Sequence, residues 1–167
     1  MRIERAGPQA VPEIMRLVEL CVAQMRSQGN LQWDEIYPTQ QILEEDARTG
    51  TLFAVRQEGR CVACVCLNDV ESPEYQSVSW SDPGGAVMVI HRLAVHPQWQ
   101  GRGIARQILA DAEQYAIEQG FAWIRLDVYT GNPRAMALYP RQGYRRAGQV
   151  WFPRRPLPFD CFEKPLR

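Results

Sequence analysis

The residues best suited to chemistry in this chain fall in one short stretch, His96-Pro-Gln-Trp-Gln-Gly-Arg-Gly-Ile-Ala-Arg106. Gly101 and Gly103 lack Cβ atoms, so backbone N–H groups can come close to a ligand, and they stand where an apolar strand gives way to a long helical pattern. The first N–H groups of a helix have no partner inside it and the helix dipole is positive there, which makes a phosphate the natural occupant. The stretch lacks the lysine and following hydroxyl residue of a nucleotide-hydrolase loop, and it is not the three-glycine pattern of dinucleotide folds. Glycine pairs of this kind also merely begin helices. Cys61, Cys64 and Cys66 have the spacing of a metal cluster, but they sit in a buried-strand pattern with no histidine nearby, so they are expected to be structural and no metal is expected.

Several elements must position that stretch. Residues 3–5 read as a short edge strand, and 11–25 as a helix with apolar Val11, Ile14, Met15, Val18, Cys21, Val22 and Met25. Residues 39–48 form a second, weaker helix capped by Thr39. The loop between them, 29–38, is unusually aromatic for a connector. Strands follow at 51–56 and 60–67 around a turn at Glu58-Gly59, and 68–85 is irregular. An almost uninterrupted apolar strand at 87–95 leads into a helix at 102–119, whose stripe is Ile104, Ile108, Ala112 and Ala116. A strand at 122–129, a short helix at 133–139 opened by Asn132 and Pro133, and strands at 144–149 and 161–165 complete the order. Strand, helix, strand across 87–129 is a βαβ unit, so its two strands are expected to be parallel neighbours joined by a right-handed crossover. The expected fold is a single α/β domain over residues 1–167, with a mixed central sheet and helices on both faces.

Composition bounds the function. With 167 residues and 46% hydrophobic content the chain can bury one core and not two. Lys plus Arg equals Asp plus Glu at 19 each, so no net field draws the molecule to nucleic acid or to an anionic membrane. Any anion must be held locally, by arginines, since Lys164 is the one lysine. No stretch approaches the roughly 20 apolar residues of a membrane span. Five cysteines, an odd number, argue against a secreted disulfide framework, and a cytoplasmic location is expected.

Two motifs carry a family resemblance. His91-Arg-Leu-Ala-Val-His-Pro-Gln-Trp-Gln-Gly-Arg-Gly-Ile-Ala105 resembles the coenzyme A signature of the GNAT N-acetyltransferases, Gln/Arg-x-x-Gly-x-Gly/Ala, with Gln100, Gly103 and Ala105 in its three places. Asn132-Pro-Arg-Ala-Met-Ala-Leu-Tyr-Pro-Arg-Gln-Gly-Tyr144 is similar to the family's second signature through Asn132, Ala135, Leu138, Tyr139, Gly143 and Tyr144. The resemblance implies an acetyl-coenzyme A-dependent enzyme whose central parallel strands splay apart. Backbone N–H groups of Gln100, Gly101, Arg102, Gly103, Ile104, Ala105 and Arg106 would hold the pyrophosphate, with the Arg102 and Arg106 side chains assisting. Leu93, Ala94 and Val95 would pair with the pantetheine arm, and Asn132 would reach it from the other side.

The resemblance further implies direct attack of an amine on the thioester within a ternary complex, the oxyanion held by a backbone N–H near Val95. An alkylamine of pKa near ~10 is mostly protonated at neutral pH, so a positioned base helps. His91 is the first candidate, because strand alternation puts it on one face with Val89, Leu93 and Val95, and the family's arylalkylamine branch uses strand histidines. His96 is a second relay candidate. Glu71 is the main alternative base, and Asp127, read as pairing with an arginine, is a lesser one. His91 in an apolar strand also suits a hydrogen-bonded core residue. Tyr139 matches the family tyrosine that protonates the departing thiolate, although Pro140 is expected to end or kink its helix.

The acceptor, a primary amine of a small molecule or peptide, is expected to meet Trp33, Asp34, Tyr37, Glu71 and Trp80, since aromatic rings beside carboxylates suit an organic ammonium. The same aromatics could instead form a homodimer surface or a satellite core. Two rival readings stand beside the enzyme: a non-catalytic acyl-coenzyme A sensor, and a different phosphate ligand in the same loop. The identity of the acceptor and the acyl length are not written in the residues.

Overall fold

Apolar spacing decides where the helices lie. The computed structural model describes residues 2–81 and 84–166, so Pro83, in the stretch read as irregular, lies outside the described residues. Helix α1 (Val11–Ser27) buries Val11, Ile14, Leu17, Val18 and Cys21, while Met15, Val22 and Met25 are only partly covered. Helix α2 (Gln40–Arg48) begins as expected at Thr39, whose side chain accepts the N–H of Ile42 at 3.3 Å. Its buried face is Leu43, Asp46 and Ala47, an i, i+3, i+4 stripe with a carboxylate in the middle. Helix α3 (Ile104–Glu118) buries Ile104, Ile108, Leu109, Ala112 and Ala116.

The strands are β1 (Glu4–Arg5), β2 (Leu52–Gln57), β3 (Arg60–Asn68), β4 (Val87–Val95), β5 (Trp123–Tyr129), β6 (Arg145–Val150) and β7 (Phe159–Pro165), with α4 (Pro133–Arg141) between β5 and β6. Two compact units are present: unit 1 is Met1–Leu67 with His91–Ala112, and unit 2 is Asn68–Ile90 with Glu113–Arg167. The strand order is β1-β2-β3-β4 in the first and β4-β5-β7-β6 in the second, β4 being common to both in a seven-stranded mixed sheet.

In unit 1, β1 and β3 flank β2 antiparallel, with Phe53 opposite Val65. In unit 2, β4 and β5 are parallel, as the βαβ reading requires. Their ladder runs from Val87 opposite Trp123 to Val89 opposite Arg125, whereas β5 keeps β7 as its antiparallel partner on to Tyr129 opposite Phe159. The last strand enters between β5 and β6, which the order of elements along the chain does not reveal. Tyr75, Val89, Tyr129, Val150, Phe159 and Cys161 form a core of unit 2. Cys61, Cys64 and Cys66 are buried along β3 as expected, and among the described residues no group of three or more His, Cys, Asp or Glu side chains is placed to hold a metal ion.

Candidate active site

The two glycines of unit 1 are required by backbone geometry. Gly101 and Gly103 take φ of 76° and 80°, left-handed values that glycine adopts without a Cβ penalty. Space is not the reason: a Cβ at Gly101 would meet nothing within 4 Å, and one at Gly103 would meet only the Arg106 guanidinium at 3.5 Å. The Gly103 carbonyl accepts the N–H of Gln107 at 3.0 Å, so the N–H groups of Ile104, Ala105 and Arg106 open α3 ahead of its first bond. No acidic side chain lies in that first turn to compete for them. The Ile104 side chain is buried, which leaves its backbone as the part able to face a ligand, while Gly101, Arg102, Gly103 and Arg106 are exposed. Arg102 stacks over the ring of Trp99 at 4.6 Å, a cation held beside the loop.

Side chains tie this loop to the end of β4. Gln100 Nε2 donates to the Val95 carbonyl at 3.0 Å and to Gln24 Oε1 of α1 at 2.8 Å. The Cys21 thiol donates to the same Val95 carbonyl at 3.3 Å. Both lone pairs of that carbonyl are engaged, and the amide of Gln100 is turned inward. His96 is committed as well. Its Nδ1 accepts the N–H of Gln98 at 3.2 Å and caps the turn Pro97–Trp99, so the neutral ring carries its proton on Nε2. Protonation at Nδ1 would break that cap, which argues against the expected relay role.

Residue 92 corrects the alternation argument for His91. Arg92 lies in β4 with φ of 51°, a value rare for a long side chain, and this takes the strand out of regular alternation between His91 and Leu93. Ala94 and Val95 are consecutive buried residues, while His91, Arg92 and Leu93 are half-buried. His91 and Leu93 therefore do not share a face by simple counting.

The acceptor candidates of unit 1 are not all exposed. Trp33 is 7% exposed and belongs to the core of its unit, with Tyr37 packed against it. Asp34 and Tyr37 exchange backbone hydrogen bonds at 3.0 and 3.4 Å, and Asp34 Oδ1 accepts the N–H of Ile36 at 2.9 Å, forming a tight turn. The Tyr37 hydroxyl accepts from Arg92 Nη1 at 3.2 Å.

In unit 2, Glu71 Oε1 pairs with Arg125 Nη1 at 2.7 Å, and the same guanidinium lies 4.5 Å over the Trp80 ring. The charge of Glu71 is thus already answered by a cation. Trp80 Nε1 donates to the Tyr75 carbonyl at 2.9 Å, and its ring packs on Tyr75 at 5.0 Å. Asp127 does not pair with an arginine as read from the sequence; its partner is the buried Tyr75, whose hydroxyl donates to Oδ2 at 2.7 Å. With no cation beside it among the described residues, burial pushes the Asp127 carboxyl up to about 6, against the lowering effect of the Tyr75 bond.

Tyr139 is buried beside Tyr144 and Phe162, with ring centroids at 5.8 and 6.1 Å. Burial raises its phenol well above the usual value and the charge of Asp127 adds to this, so it is protonated at neutral pH. Its helix does not end at Pro140, which corrects the expectation: α4 runs on to Arg141. The Gly143 N–H then meets the Pro140 carbonyl at 3.1 Å and the Tyr144 N–H meets the Tyr139 carbonyl at 3.1 Å, a Schellman closure with Gly143 at φ 84°. Asn132 caps the other end, its Oδ1 accepting the N–H of Ala135 at 3.2 Å. Unit 1 places His91 and the glycine loop, and unit 2 places Asp127, Asn132 and Tyr139.

Sequence reasoning missed the Arg92 pairing, although a lone arginine inside an apolar strand and a lone aspartate on the apolar face of α2 were its signals. It missed the isolation of Asp127, for which no local signal exists.

Comparison with known proteins follows the same lines. Residues 16–144 match the model of the acetyltransferase (GNAT) family. An uncharacterized N-acetyltransferase of Bacillus subtilis, YesJ, is 28% identical over 127 residues, covering 74% of this chain and 70% of that protein. A GNAT-family acetyltransferase structure from Streptococcus agalactiae superposes with a TM-score of 0.85 at 22% identity, covering 99% of this chain and 95% of that one. A ribosomal-protein-alanine N-acetyltransferase from Brucella melitensis superposes with a TM-score of 0.69 at 20% identity, covering 99% of this chain and all of the other.

Proposed function

Because the chain belongs to the GNAT family of acetyltransferases, we propose that it works as one N-acetyltransferase domain, passing an acetyl group from acetyl-coenzyme A to a primary amine of a small molecule or peptide. The observation that carries this reading is the loop at the start of α3: two left-handed glycines followed by three N–H groups ahead of the first helical bond, with no carboxylate in the turn. Those donors, with the exposed Arg102 and Arg106, suit a pyrophosphate, while Gln100 holds the loop to the end of β4. Leu93, Ala94 and Val95 would flank the pantetheine arm. Asn132 would assist through Nδ2, since its Oδ1 serves the helix cap. Coenzyme A supplies the activated thioester; the chain supplies orientation and proton handling.

Direct attack needs a base for the ammonium and an acid for the thiolate. Tyr139 is the candidate for the second by its place in the motif: its phenol carries a proton at neutral pH, and burial makes it a weaker acid than a free phenol, so donation is driven by the charge that develops on the departing sulfur. His91 remains the base on sequence grounds. Asp127 is favoured by a separate observation: a half-buried carboxylate that accepts from Tyr75 and has no cation beside it among the described residues suits an incoming ammonium. The relative from Brucella is named for acting on alanine of a ribosomal protein, which supports including peptide termini among the acceptors. A cytoplasmic setting is in keeping with five buried cysteines, none of them joined in a disulfide.

The test is thiol release from acetyl-coenzyme A across a panel of arylalkylamines, polyamines, amino acid amides and short peptides, with product mass checked. Addition of 42 mass units to at least one amine, roughly the mass of one acetyl for one hydrogen, is expected. Binding of acetyl-coenzyme A with no turnover of any amine would instead make the chain a sensor.

A further inference from the structure

We propose that Arg92 is a positioning residue: with Asp46 and Tyr37 it forms a latch that holds the break in alternation of β4 beside His91 and fixes the aromatic loop against it, so that the acceptor amine is presented in one geometry. The inference rests on the acetyl-transfer reading for its consequence, though not for its geometry. The Arg92 fork meets both carboxylate oxygens of Asp46, Nε to Oδ2 at 2.8 Å and Nη2 to Oδ1 at 2.7 Å. Its Nη1 donates to the Tyr37 hydroxyl at 3.2 Å and Nη2 reaches the Cys66 sulfur at 3.3 Å. The Arg92 and Asp46 side chains are only 13% and 10% exposed. One residue of β4 therefore joins α2, β3 and the loop ahead of α2, all within unit 1.

Two features set this pair apart from an ordinary buried ion pair. It is anchored at φ 51°, a conformation that an arginine holds only when its surroundings over-determine it, and such residues gather where backbone shape serves function. It also acts on a loop already fastened at its other end. Trp33 is sunk in the core and Asp34 is bonded back to Tyr37, so the contact at the Tyr37 hydroxyl fixes the turn between them. Ile36 stands 60% exposed on that turn. A lysine at position 92 would bring one point charge where the latch needs a planar fork.

A buried pair that only held the fold together could be exchanged for apolar residues of similar size with little loss. The test is therefore the double variant Arg92→Met/Asp46→Leu, compared with Arg92→Lys and Tyr37→Phe. It is read by thermal unfolding, by the affinity for acetyl-coenzyme A, and by acetylation of the amine that the wild type turns over best. For the double variant we expect a folded protein, acetyl-coenzyme A affinity within about threefold of wild type, and kcat/KM for the amine reduced by about tenfold or more; Arg92→Lys should not restore it. A double variant with kcat/KM within about threefold of wild type would overturn the proposal. If the double variant does not fold, Tyr37→Phe carries the test, with a rise of about threefold or more in amine KM expected and an unchanged KM overturning it. Should the wild type acetylate no amine, the acetyl-transfer reading fails by itself, and hydrogen exchange still reads the latch through Tyr37→Phe. Faster exchange confined to residues 32–37 supports the latch, and unchanged exchange there overturns it.

Discussion

Asp127 and Arg92 show how much one side chain's partner decides. Nineteen acidic residues face nineteen basic ones in this chain, yet Asp127 is left with a phenol while Arg92 collects a carboxylate, a hydroxyl and a thiol. The raised carboxyl of Asp127 has a thermodynamic sign. The folded protein holds a proton there up to about 6, against 3.8 for the ordinary group, so between those values the native state binds more protons than the unfolded chain and stability falls as pH rises. Above about pH 6 the full penalty is present. Asp127→Asn, which can still accept from Tyr75, should therefore raise stability by about 2 kcal/mol at pH 7.5 and by almost nothing at pH 3.5, measured by urea unfolding. If Asp127 takes the amine's proton, the same variant should lose turnover by about 100-fold. A gain in stability with unchanged turnover would leave proton removal to His91.

At the scale of elements, the end of α4 shows why Pro140 is tolerated. A proline there deletes one intrahelical donor, but the terminal carbonyls find others: Gly143 and Tyr144 close the Schellman pair, and Lys164 Nζ donates to the Gln142 carbonyl at 2.8 Å. The edge contact between the Tyr139 and Tyr144 rings is the apolar clasp that accompanies this closure. Gly143→Ala would place a Cβ 3.6 Å from the Lys164 chain, an ordinary contact, so its whole effect comes from φ 84°. The expected cost is about 1–2 kcal/mol by denaturant unfolding. A stability change near zero would mean that α4 re-forms its end without the left-handed residue. This closure is not expected from the sequence, because Pro140 draws attention to itself as a helix breaker and the left-handed Gly143 beyond it reads only as part of a motif. The residue at which β4 leaves regular alternation is not legible either, since nothing in an apolar strand marks where its alternation breaks.

For the molecule as a whole, the cofactor reading is a statement about mass action. A ligand that binds only the folded state at about 100 times its Kd adds about 2.7 kcal/mol. For a chain of 167 residues that corresponds to a rise in Tm of about 5–10 °C. Acetyl-coenzyme A and coenzyme A should each produce it, and ATP at equal concentration should not. A shift with ATP and none with acetyl-coenzyme A would assign the loop to another phosphate ligand.

Sequence by itself determined the order of elements, the parallel pairing of β4 with β5, the glycine loop at α3 and the capped ends of α2 and α4. All of these follow from side-chain period and from hydrogen bonds that span a few residues, or from the one crossover that a right-handed βαβ unit allows. Tertiary structure alone decided that β7 lies between β5 and β6, that Arg92 meets Asp46, that Asp127 meets Tyr75, and that Trp33 is core while Asp34 turns back on Tyr37. Those pairings join residues that are mostly tens of positions apart, where register and packing choose one partner from many of the same charge, and local spacing carries no record of the choice.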